Sequence, residues 1–146
     1  MILREEEVIE LRPWQKSALV RSRREIDGIF LEALGGRGKT IATMAIIQEK
    51  KAERVLILNN KTAILNGWEK DAQELNLGYP VAFTVKTDKW LRSKANALRE
   101  AEKGLKTLRK KIGVRKLYRQ NPKYVELHEN VKQLKAELDY DVLVID

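Results

Sequence analysis

An α/β fold with a mainly parallel sheet, interrupted by one antiparallel helical hairpin, is what this sequence predicts. Three observations carry that reading. Short apolar runs alternate with segments of helical periodicity. A glycine-bearing stretch, Gly35-Gly36-Arg37-Gly38, lies between one such run and one such segment. Residues 88–139 abandon this rhythm for leucines spaced three and four apart.

Taken in order, Pro13 suits a first helical turn, and Trp14, Ala18 and Leu19 give a partly apolar face to about Glu25. Asp27-Gly28 breaks that helix, and Ile29-Phe30-Leu31 begins a short strand. After the glycine loop, Thr40 to Glu49 reads as a buried helix rich in Ile and Ala. Val55-Leu56-Ile57-Leu58 is continuously apolar, as expected of a parallel strand covered on both faces. Thr62 to Leu75 is helical, with Ile64, Leu65, Trp68 and Ala72 on one side and Trp68 in the core. Val81 to Val85 and Tyr140 to Ile145 read as further strands.

Between them, Leu91, Ala95, Leu98, Leu105, Leu108 and Ile112 mark one long helix, open to interruption at Gly104 and Gly113. Tyr124, Leu127, Val131, Leu134 and Leu138 mark a second, with Asn121-Pro122 supplying the turn. The expected organisation is therefore a sheet domain over residues 1–87 and 140–146, and a basic hairpin inserted at 88–139.

Composition narrows the chemistry. The 146 residues include no cysteine and a single histidine, which excludes disulfides, thiolate nucleophiles and the usual zinc ligand sets. No apolar run approaches the roughly 20 residues a membrane span needs, and the acidic start does not suit a signal peptide. A cytoplasmic or nucleic-acid-associated protein is expected. The net charge of +8 is concentrated: residues 88–123 carry 13 Lys and Arg against 3 Asp and Glu. That block reads as a solvated helix face or as a surface for a polyanion, nucleic acid above all. Lys103, Lys106, Arg109, Lys110, Lys111, Arg115 and Lys116 are its candidate contacts.

The sharpest chemical signal is Ala33-Leu34-Gly35-Gly36-Arg37-Gly38-Lys39-Thr40, placed after a predicted strand and opening a predicted helix. Small residues let backbone N–H groups turn inward around phosphate oxygens. The helix start adds partial positive charge. Gly35, Gly36, Arg37, Gly38, Lys39 and Thr40 are thus candidate ATP-binding residues, Lys39 bridging terminal phosphates and the Thr40 hydroxyl holding Mg²⁺. The strict GxxxxGK[ST] pattern fails only at its first position, where Ala33 stands. Such a loop needs a carboxylate on a neighbouring strand. Asp146, ending the apolar run Val142–Ile145, is the candidate second Mg²⁺ group.

These residues resemble a family. Ala33, Gly36, Gly38, Lys39 and Thr40 match the AxxGxGKT loop of superfamily 2 helicases and translocases. Leu11-Arg12-Pro13-Trp14-Gln15 resembles the "LRxYQ" element of the Swi/Snf-like branch, with Trp14 for the usual Tyr. Val55 to Glu69 is similar to that branch's next motif, roughly "VLIVCPxSLLxNWxxE", with Asn60 where the family has proline. Tyr140 to Asp146 looks like its "YDxVIxDE" strand, cut before the glutamate.

The resemblance implies a RecA-like P-loop three-layer domain, here one partial lobe, using ATP and Mg²⁺. It implies that Gln15 reads the adenine edge and that Asn60, Lys61 and Thr62 meet the nucleic-acid backbone, duplex DNA being the leading track. The partner it further implies is a second RecA-like lobe that donates arginines. Without that lobe and the glutamate, the lobe is expected to be inactive alone. It reads as a fragment of a larger enzyme or as the product of a frame interrupted within the motif. The alternative is a non-catalytic nucleic-acid- or protein-binding module built on the basic hairpin.

Overall fold

The computed structural model of the chain describes residues 1–24, 28, 31, 38–112 and 121–146. The expected strand at Ile29–Leu31 falls almost wholly outside them, as do Gly35, Gly36, Arg37, Gly113, Arg115 and Lys116. Two compact units emerge, one of Met1–Lys86 with Tyr140–Asp146 and one of Thr87–Asp139.

The first unit is α/β. Strands β3 (Arg54–Leu58), β5 (Ala82–Lys86) and β6 (Val142–Ile145) form a parallel sheet in the order β5-β3-β6. The central strand is the apolar one, and Val55 and Ile57 are fully buried, as the continuous run requires. β6 departs from its sequence pattern: Leu143 and Ile145 remain exposed while Val142 and Val144 pack on the core. At its start, Asp141 Oδ2 accepts the Glu53 and Arg54 N–H groups at 2.8 and 3.0 Å. Those two bonds hold its carboxyl below the ordinary carboxylate value. Arg54 in turn lies 5.1 Å over the Tyr140 ring.

Helices α1 (Pro13–Ser22) and α2 (Lys39–Glu49) run parallel to one another. Their starts are joined through Gln15 and Gly38, and their ends through Arg23–Glu49 at 2.6 Å and Lys50 on the Ser22 carbonyl. The core gathers Met44, Ala45 and Ile47 of α2 with Val55, Ile57 and Trp68, the last from α3 (Thr62–Glu74). Tyr79 reaches into this packing with its hydroxyl 2.8 Å from the Ala52 carbonyl, and burial pushes its pKa up.

A second sheet has no counterpart in the expected elements. Strands β1 (Leu3–Arg4), β2 (Glu7–Val8) and β4 (Leu75–Asn76) pair antiparallel in the order β2-β1-β4. Leu75, expected as the last helical residue, is instead extended and pairs with Arg4. Gln48 Nε2 ties this sheet to α2 through the carbonyls of Met1 and Leu77, both at 2.8 Å. Arg4 lies 3.5 Å from Asp71, whose half-buried carboxyl is nevertheless raised, because desolvation outweighs the guanidinium.

The second unit is a helical hairpin of α4 (Asp88–Ile112) and α5 (Pro122–Glu137). Antiparallel packing follows from its contacts: Arg109 with Tyr124 at the turn end, and Lys94 with Glu137, 2.6 Å, at the open end. Ala101 and Leu105 bury against Tyr124, Val131 and Leu134. Asn121-Pro122 opens α5: Asn121 Oδ1 accepts from Lys123 and Tyr124 N–H, and Pro122 takes the first helical position. Gly104 does not interrupt α4. A Cβ there would meet Leu127 at 3.9 Å, an ordinary contact, so the helix loses only intrinsic propensity at this point.

Candidate nucleotide-binding site

The Gly-Lys-Thr tail of the loop opens α2 as the sequence predicts. Gly38 is the N-cap with φ +90°, a left-handed backbone that suits glycine. Space forbids a side chain as well: a Cβ would stand 2.7 Å from Gln15 Nε2 and 3.3 Å from Trp14 Cζ2. The last turn of α2 is fastened to the approach to β3 by Ala52 N–H on the Ile47 carbonyl, 3.2 Å. The eleven-residue helix is about 16 Å long, and Lys39 and Thr40 form its first turn. Both are half-buried, and neither the Lys39 ammonium nor the Thr40 hydroxyl has a protein partner among the described residues. The first turn of the helix leaves its N–H groups unpaired within the helix, a natural seat for an anion.

Gln15 is 3% exposed and both ends of its amide are hydrogen-bonded. Oε1 accepts the Arg12 N–H at 2.7 Å, which caps α1, and Nε2 donates to the Gly38 carbonyl at 2.8 Å. It therefore clamps the end of the phosphate loop to the start of α1. One N–H and one lone pair of the amide remain for a further partner.

At the carboxyl ends of the strands, Asn59 joins all three. Its N–H donates to the Lys86 carbonyl of β5 at 3.2 Å, and its Nδ2 donates to the Asp146 carbonyl after β6. Its Oδ1 accepts the Lys61 N–H at 2.7 Å, turning the chain into α3. Asn60, Lys61 and Thr62 are left exposed at this corner. Asp146 N–H donates to the Leu58 carbonyl at 3.1 Å, extending the ladder by one residue. One carboxylate oxygen of Asp146 accepts the Trp68 indole N–H at 2.8 Å, and the other has no protein partner among the described residues. Trp68 is thus core, as expected, and also the orienter of the candidate metal carboxylate. Sequence reading missed Asn59 and this second role of Trp68. The available signal was that a buried indole N–H seeks an acceptor.

A hydroxyl and a carboxylate, as on Thr40 and Asp146, are the hard oxygen donors that Mg²⁺ takes. No group of three His, Cys, Asp or Glu able to hold a metal occurs among the described residues. Mg²⁺ needs none, because it is commonly held by one or two side chains while phosphates and water complete its octahedron. Of the predicted cations, Lys103, Lys106 and Lys110 are exposed on α4, whereas Arg109 is drawn to the Tyr124 hydroxyl at 2.9 Å.

With a glycine-capped helix headed by Lys39 and Thr40 and an aspartate just after β6 in the same unit, the family comparison becomes decisive. The profile of the family described as "Type III restriction enzyme, res subunit" (ResIII) matches residues 8–146. The chain belongs to this family. ResIII proteins carry a superfamily 2 helicase-like ATP-binding domain, and the α/β sheet, the loop and the strand-terminal acid of this chain fall within the matched residues. No curated protein matches the chain in sequence. Among the described residues no helix is long and apolar enough to cross a membrane.

Proposed function

We propose that this ResIII chain is the N-terminal ATP-binding lobe of a superfamily 2 DNA translocase, nearest in its motifs to the Swi/Snf-like branch. What supports it most directly is that Gly38-Lys39-Thr40 heads α2 while Asp146 follows β6 of the parallel sheet in the same unit. In this reading Gly35, Gly36, Arg37 and Gly38 wrap the phosphates, and Lys39 neutralises the terminal ones. Thr40 and Asp146 hold Mg²⁺, which supplies charge stabilisation to the phosphoryl group. Gln15 keeps the loop end in place and turns to adenine when ATP arrives. Asn60, Lys61 and Thr62, exposed where α3 leaves β3, face the nucleic-acid backbone.

Turnover by residues 1–146 alone is expected to be negligible. In this reading a second RecA-like lobe donates arginine, a contribution worth about 10³–10⁵ in rate. Titration calorimetry with Mg-ATP tests the reading. Weak binding that Lys39→Ala reduces by at least about tenfold, one 1.4 kcal/mol step, is the expected result. Binding that survives Lys39→Ala unchanged would falsify the phosphate role of the loop.

A further inference from the structure

The parallel ladder between β3 and β6 ends on a side-chain donor. Leu58 stands opposite Ile145, and the Asp146 N–H donates to the Leu58 carbonyl at 3.1 Å. Continued by one more rung, a parallel ladder would run next from the N–H of Asn60 to the Asp146 carbonyl. The chain instead leaves the sheet here to enter α3, and Asn59 Nδ2 donates to that carbonyl. Its Oδ1 accepts the Lys61 N–H at 2.7 Å, which closes the bend. The Asn59 N–H is engaged as well, on the Lys86 carbonyl of β5 at 3.2 Å. One half-buried residue thus ties the ends of both outer strands to the start of α3.

What these bonds hold is Asp146. Both of its backbone groups are fastened to the end of β3, the N–H through Leu58 and the carbonyl through Asn59. Its carboxylate meets the Trp68 indole N–H at 2.8 Å. Trp68 is buried in the core, so its N–H can find an acceptor in one place only. A residue pinned at its N–H alone can still turn about its own backbone bonds and swing the carboxylate away from that place. Pinning the carbonyl as well removes the swing. The motif that Val55 to Glu69 resembles has cysteine rather than asparagine at this position, so the amide bridge is not part of that resemblance.

We infer that Asn59 is a positioning residue for the Asp146 carboxylate, setting the oxygen that Trp68 leaves open toward a metal–nucleotide complex. The metal half of this inference rests on the nucleotide reading above; the geometric half does not. Asn59 acts from behind Asp146, as the hydrogen-bonded partners of metal ligands do.

The test reads position and metal separately, on the full 146-residue chain. Asn59→Asp is isosteric: it keeps an acceptor for the Lys61 N–H and loses the donor to Asp146. Asn59→Ala loses both. Asn76→Ala is the control, because Asn76 Oδ1 accepts the Gly78 N–H at 2.8 Å in a turn of the same kind. Position is read from the three tryptophan indole signals in ¹H–¹⁵N correlation spectra without ligand, Trp68 being assigned by its loss in Trp68→Phe. Both Asn59 variants should move the Trp68 signal and leave those of Trp14 and Trp90 in place, and Asn76→Ala should move none. The metal is read by calorimetry with ATP, in Mg²⁺ and in EDTA. Asn59→Ala should lower the gain in affinity that Mg²⁺ brings by about tenfold, with the EDTA value little changed. A Trp68 signal that stays put in Asn59→Asp, or that moves equally in Asn76→Ala, would overturn the inference. So would a full Mg²⁺ gain in Asn59→Ala beside a wild type that shows one. A wild type without any Mg²⁺-dependent ATP binding would sink the nucleotide reading itself, and the role of Asn59 with it.

Discussion

The sheet unit and the hairpin unit use polar side chains in opposite ways. In the sheet unit they fasten chain segments together: Gln15 to the Gly38 carbonyl, Trp68 to the Asp146 carboxylate, Asn59 to the Asp146 carbonyl. In the hairpin they stand outward, and the exposed strip on α4 consists of cations without acidic partners among the described residues. Inward bonds fix geometry to within a fraction of an ångström and are little affected by salt. Outward charge attracts a polyanion over a Debye length, about 8–10 Å, and fades as salt rises. Fixed inward geometry suits a small ligand held in one pose, and outward charge suits partners met at longer range.

The contrast breaks most severely at Trp68. Truncation to Ala leaves a large cavity beside Val55 and Ile57 and is expected to cost about 3–5 kcal/mol. Trp68→Phe keeps most of the ring and removes the N–H donated to Asp146. Asp146 is exposed and rehydrates, so the loss should be much smaller than for Ala, while Mg²⁺-dependent ATP binding weakens. Urea denaturation followed by Mg-ATP calorimetry separates the two effects. Equal stability losses for Ala and Phe would mean that the indole N–H, not the ring, dominates.

These same features mark how far the sequence could be read. β3, α2, α3 and the two hairpin helices were legible because each carries an unbroken apolar pattern of the right period. The small sheet was not. Its strands are two residues long, and the β1–β2 turn places Glu5 and Glu6 at φ 51° and 67°, where Gly or Asn would have announced a hairpin. The glycine loop and Asp146 were visible as motifs. The clamps that hold them were hidden, since Gln15 and Gly38 are 23 residues apart and Asn59 and Asp146 are 87 apart. Nothing local reveals such a pairing. The hairpin's basic excess was equally plain from composition, but only a helix wheel anchored to the observed seam divides Lys103 and Lys106 from Arg109.

A smaller effect sharpens the comparison from the hairpin side. Gly104→Ala fills space that ends at Leu127, 3.9 Å away, and gains helix propensity in a continuous helix. It should stabilise the hairpin by up to about 1 kcal/mol. Near-ultraviolet and far-ultraviolet melts of the variant should move together only if the two units unfold cooperatively. A lower melting temperature would mean that the helices approach more closely at Gly104 than the Leu127 contact implies.

The smallest expected effect lies within the sheet unit and depends on sign. Asp141 is lowered from 3.8, chiefly by the backbone N–H groups of Arg54 and Glu53, so it favours the folded state above that value and loses this contribution as pH falls through its lowered pKa. Asp71 is raised from 3.8 by burial against the opposing pull of Arg4, so its contribution is present below that value and is lost as pH rises through the raised pKa. The two carboxyls therefore tilt the acid limb of the stability curve in opposite directions. Asp141→Asn should flatten that limb, because the amide oxygen can still accept both N–H groups but no longer titrates. Asp71→Asn should steepen it, because the opposing slope is gone. Urea midpoints measured across the acid range decide the matter, and a flatter limb for Asp71→Asn would mean that Arg4, rather than desolvation, governs that carboxyl.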